Sequence, residues 1–108
     1  MLSIIKSIAL DGLDGYIIDV QVDISSGMPA WETVGLPDTS IKESKERVRT
    51  AIRNSGYDIL SRKVIINLAP ADIRKEGSYL DLPIAIGILA SLEKIEIKNI
   101  KDTVFVGE

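Results

Sequence analysis

The chain has 108 residues, 45% of them apolar and 27% charged, which fits one ordinary globular domain and excludes a disordered tail. It contains neither cysteine nor histidine, so disulfides, Cys/His zinc sites, thiol catalysis and His-dependent nucleophiles are all excluded. The net charge of -3 gives no global attraction to nucleic acid, but residues 38–63 hold seven basic against four acidic groups and form a basic island in an acidic chain.

Residues 3–10 read as a strand, and Asp11-Gly12-Leu13-Asp14-Gly15 as a turn. Residues 16–24 alternate: Ile18, Val20, Val22 and Ile24 share one face, and Asp19, Gln21 and Asp23 the other. That period of two predicts a half-buried antiparallel strand. After Ser25-Ser26-Gly27-Met28-Pro29, residues 30–35 read as a third strand, which predicts a three-strand meander. Trp31, the sole tryptophan, is expected to pack on the core.

A helix is expected from Leu36-Pro37-Asp38-Thr39 to Gly56, capped by Asp38, Thr39 or Ser40. Ile41, Ser44, Val48, Ala51, Ile52 and Ser55 make its inner stripe, and Glu43 and Arg47 an i,i+4 pair. Residues 63–69 predict a strong strand stopped by Pro70, then a polar loop through Ser78. Leu80 to Leu92 is apolar nearly all round and predicts a buried helix, with Asp81 as its cap and Pro83 in its first turn. Residues 103–107 begin another strand, so partner strands are expected beyond residue 108. No apolar run reaches the ~18 residues of a membrane helix, and Met1-Leu2-Ser3-Ile4-Ile5-Lys6 lacks the basic start of a signal peptide; a cytoplasmic location is expected.

Three sets of residues carry possible chemistry. No glycine-rich phosphate loop of either common pattern is present. Ser78 and Lys75 could form a Ser-Lys dyad, against the simpler reading of a capping serine and a solvated lysine. Asp72, Glu76 and Asp81 could hold Mg²⁺, against the simpler reading of helix-end and surface charges. Arg47, Arg49 and Arg53, with Arg62 and Lys63, could follow a phosphate backbone, although Arg47 and Arg49 point about 200° apart on a helix.

Two stretches extend the reading. Gly35-Leu36-Pro37-Asp38-Thr39-Ser40-Ile41-Lys42-Glu43-Ser44 runs on through Arg49 and Ala51-Ile52-Arg53-Asn54-Ser55-Gly56. Asn67-Leu68-Ala69-Pro70-Ala71-Asp72-Ile73-Arg74-Lys75-Glu76-Gly77-Ser78 precedes Leu80-Asp81-Leu82-Pro83-Ile84-Ala85. With these, residues 1–108 closely resemble the N-terminal, Lon protease-like (ChlI-type) domain of the ComM/YifB magnesium-chelatase-like AAA+ ATPases. The resemblance implies an α+β fold of the ribosomal protein S5 domain 2-like type: a mostly antiparallel or mixed sheet with two helices on one face. It implies a single domain of a longer protein whose ATPase module, with its ATP and Mg, lies outside this chain. The longer protein would form a hexamer and act in DNA branch migration during natural transformation.

This domain would then be noncatalytic, serving assembly with its own ATPase module and neighbouring subunits, or DNA contact through Arg47, Arg49, Arg53, Arg62 and Lys63. No metal or cofactor is expected on it. The serine position of Lon-type proteases falls near Tyr79, and Leu80 and Asp81 replace the small residues that would follow, so no catalytic residue is carried over. A Ser-Lys peptidase-like hydrolase and a metal-handling chelatase subunit are the alternatives.

Overall fold

The computed structural model describes residues 1–59, 62–96 and 102–108. Strands β1 (Leu2–Asp11) and β2 (Asp14–Ser26) form a hairpin, with Gly12 at φ 64° in the two-residue turn where glycine is favoured. In β2 the alternation holds: Ile18, Val20, Val22 and Ile24 are buried under the helices, while Asp23 is exposed. The β1 residues on that inner face are Ser3, Ile5, Ser7 and Ala9, all buried.

The meander is not formed. β3 (Ala30–Val34) does not pair with β2 but lies parallel to β4 (Arg62–Ala69), and β4 sits between them, giving the order β1-β2-β4-β3. The reason is burial. β4 puts Val64, Ile66 and Leu68 wholly into the core and gains most from a central place with both edges bonded. β3 carries exposed Glu32 and Val34 and tolerates an edge.

The expected single helix is two: α1 (Thr39–Lys42) and α2 (Ser44–Asn54), divided at Glu43. Asp38 is the cap, its Oδ1 accepting from the Ile41 N–H at 2.9 Å. Ile41, Ser44, Val48 and Ile52 are buried as expected, whereas Ala51 and Ser55 are exposed. α3 (Asp81–Ser91) crosses β1 and β2 and is the buried helix. It lies close because Gly87 has no side chain: a Cβ there would stand 2.6 Å from Val22 Cγ2. Ser3 Oγ donates to the Gly87 carbonyl at 2.7 Å and Ser91 Oγ to the Val22 carbonyl at 2.9 Å, so polar groups at this contact are satisfied.

The strand expected at residues 103–107 is reduced to an isolated bridge beside β1, and Gly107 turns to the start of α3. Val104 bridges Lys6 in parallel, Phe105 N donates to the Lys6 carbonyl at 2.9 Å, and Gly107 N donates to the Tyr79 carbonyl at 2.8 Å. The architecture is thus α+β, a mixed four-strand sheet with its main helices over one apolar core.

Candidate functional site

The two long stretches singled out in the sequence meet in space. β3 ends at Val34, opposite Asn67, and the chain turns away through Gly35 (φ 104°) and Leu36 (φ 56°). Only glycine fits at 35, since a Cβ would stand 2.1 Å from the Leu68 carbonyl oxygen. The chain then meets the loop after β4. Lys75 N donates to the Leu36 carbonyl at 3.0 Å and Asp38 N to the Lys75 carbonyl at 3.0 Å, a parallel bridge of Pro37 with Lys75. Asp38 ties the knot with its second oxygen, which accepts from Gly77 N at 2.9 Å.

Lys75 fills the centre. The simpler reading of it as a solvated charge is wrong: the residue is 0% exposed. Its ammonium donates to the carbonyls of Gly35 (2.7 Å), Leu68 (3.0 Å) and Pro70, which uses its three protons on three acceptors. The physical reason is the edge of β4. Once β3 has ended, the Leu68 carbonyl needs a donor that no strand supplies, and Lys75 supplies it. Burial pushes the Lys75 ammonium below its ordinary value, and the nearby Asp72 carboxylate opposes that.

Ser78 faces elsewhere. Its hydroxyl donates to Glu108 Oε2 at 2.6 Å, while Lys75 Nζ is held by backbone. The structure therefore separates the two members of the supposed dyad. Tyr79 follows, its phenol pushed above the ordinary value chiefly by burial.

The expected cap at Asp81 is also corrected. Leu80 takes the cap position without a side-chain bond, and the Asp81 carboxylate, 7% exposed, pairs with Arg47. Arg47 Nε is 2.6 Å from Oδ2 and Nη2 is 3.0 Å from Oδ1, a two-point contact that joins α2 to α3. Arg47 Nη2 also donates to the Ser40 carbonyl at 2.7 Å, and Nη1 lies 4.0 Å from Glu43. The Asp81 bond raises Arg47 still further above its ordinary range. Beside this pair a cavity of about 150 Å³ opens between α2 and α3, floored by Val48, Ala51 and Ala85. Glu76 pairs with Arg74 at 3.3 Å, and among the described residues no three acidic groups gather as metal ligands.

The five basic residues read as a phosphate track do not form one surface. Arg47 is committed to Asp81 on the α3 side. Arg49 lies on the opposite flank, its guanidinium 5.7 Å from the centroid of the Trp31 ring, which packs against the core as expected. Arg53, Arg62 and Lys63 are exposed. The roles of Lys75, Gly35 and Arg47 were missed because each depends on a distant partner; the Val34-Gly35-Leu36-Pro37 run was the one local signal of a special backbone.

Residues 20–108 match the protein family described as subunit ChlI of Mg-chelatase. The chain is 46% identical over 107 residues to the protein YifB of Salmonella typhimurium, 48% to YifB of Escherichia coli, and 40% to the competence protein ComM of Haemophilus influenzae. Each match covers 99% of this chain and 21% of the relative, so the chain spans about a fifth of the length of these proteins. On the family match over most of its length, the chain belongs to the Mg-chelatase subunit ChlI family.

Proposed function

We propose that this chain is the noncatalytic N-terminal assembly domain of a magnesium-chelatase-like AAA+ ATPase, with the ribosomal protein S5 domain 2-like fold. The observation that carries it is the commitment of Lys75. A lysine whose protons are all taken by backbone carbonyls cannot serve as a general base for Ser78, which lies within reach of Glu108 instead. The conspicuous stretches of the chain are thus spent on internal structure, as suits a domain selected for shape. ATP and Mg²⁺ belong to the remainder of a longer, cytoplasmic protein. The competence name of the Haemophilus influenzae relative supports work on DNA during natural transformation, with branch migration as the activity.

The test uses the full-length protein with and without residues 1–108. Light scattering in the presence of ATP should give a hexamer that is lost on deletion, and a hexamer unaffected by deletion would overturn the assembly role. Labelling by a fluorophosphonate that disappears in Ser78→Ala would overturn the noncatalytic reading.

DNA contact is a second reading, favoured by the exposure of Arg53, Arg62 and Lys63 near the junction of α2 and β4. Reversal of these three to Glu should weaken anisotropy-measured binding of branched DNA at least tenfold; equal binding would remove it.

A further inference from the structure

A basic stripe separate from the Arg47–Asp81 pair runs along α2. Lys45, Arg49 and Arg53 recur every four residues, so they fall within about 80° of one another and follow each other at about 6 Å. Exposed Lys42 extends the row by one turn. Among the described residues no carboxylate pairs with Lys42, Lys45, Arg49 or Arg53; the acids nearest in sequence are Glu43, drawn toward Arg47, and Glu46. The stripe lies on the β3 side of α2, because Arg49 stands over Trp31 while Arg47, Val48 and Ala51 face α3.

β3 is the edge of the sheet, and among the described residues nothing bonds its outer side. An edge strand presents free N–H and C=O groups that a further strand can take up. α2 lies between β3 and β4 in chain order, and Arg49 brings it against the Trp31 ring of β3. Lys45 to Arg53 covers about 12 Å of helix, and the five residues of β3 cover about 13 Å of strand. Alternate side chains of an added strand would recur every ~6.6 Å, close to the repeat of the cations above.

We propose that the β3 edge, roofed by this stripe, docks an extended peptide segment of a partner protein with carboxylates at alternate positions. Strand addition supplies the main-chain bonds, and Lys45, Arg49 and Arg53 read the acidic side chains. A polyphosphate backbone would match the charge and could accept from the N–H groups of β3, but it has no donor for the β3 carbonyls, which is why a peptide is favoured. The proposal stands apart from the assembly reading, because its test reads peptide binding and protection at β3 rather than the hexamer.

The 108-residue chain is titrated into a fluorescein-labelled heptapeptide of alternating Val and Glu, read by anisotropy. Binding should weaken steeply with salt and at least tenfold in Lys45→Glu/Arg53→Glu, both partners of that double change lying on the helix surface. A peptide N-methylated at alternate residues should also bind at least tenfold more weakly, and hydrogen exchange should show added protection at residues 30–34. Absence of binding, equal affinity for the N-methylated peptide, protection away from β3, or tighter binding of a single-stranded oligonucleotide would each overturn the proposal.

Discussion

Lys75→Met removes the ammonium at the centre of the loop crossing and keeps a side chain of similar length and volume. Two effects oppose each other. Loss of a buried charge returns the cost of its desolvation, several kcal/mol for an ammonium out of water. Against this, the carbonyls of Gly35, Leu68 and Pro70 lose their shared donor, and each buried acceptor left unsatisfied costs about 1–3 kcal/mol. Because three acceptors lose their donor for the one charge removed, the second effect is the larger. The net loss is about 3 kcal/mol, a large share of the 5–15 kcal/mol typical of a domain. For a domain near this size it lowers the melting temperature by on the order of 15 °C. Urea unfolding followed by tryptophan fluorescence measures the loss directly, since Trp31 is the sole tryptophan. A midpoint within about 0.5 kcal/mol of the parent, with unchanged slope, would refute the reasoning: those carbonyls would then have other donors, and the lysine would not hold the crossing.

Gly35→Ala should be at least as damaging, about 3 kcal/mol or more, because φ is 104° and the new Cβ would stand 2.1 Å from the Leu68 oxygen; thermal melting checks it. Asp81→Asn should cost about 1–3 kcal/mol, a value held down by the one-third exposure of Arg47, and should speed amide exchange in the first turn of α3. Tyr79 should titrate above the ordinary phenol value of 10.0 because burial disfavours its anion. Its contribution to stability is complete below pH 10.0 and is lost as pH rises through the higher folded value, since the unfolded chain then ionises first. The absorbance titration of Tyr79→Phe should lack a step centred above 10.0, and loss of a step at or below 10.0 instead would contradict this.

Much of the fold was legible because it follows from short-range periodicity. The alternation at Ile18, Val20, Val22 and Ile24 marked a half-buried strand, and each of the four is buried. Asp38 was among the expected caps because a carboxylate before a helix has free N–H groups within reach. Strand order was not legible: nothing local to residues 30–34 states whether they pair with the strand before them or with one thirty residues later. The site was the least legible part. Lys75 in a run of charged residues looks solvated until Gly35, Leu68 and Pro70 close around it. Asp81 looks like a cap until Arg47 arrives from another helix.

Sequence by itself determined most of the elements, the inner face of β2, the absence of thiol and imidazole chemistry, and the family. These rest on residue type and on contacts within a turn or a strand pair. Tertiary structure alone decided that β4 takes the centre of the sheet, that Lys75 is an internal donor, and that the basic residues of α2 divide between a half-buried pair and an open stripe. Each depends on groups brought together across tens of residues, where the deciding terms are desolvation and hydrogen-bond satisfaction.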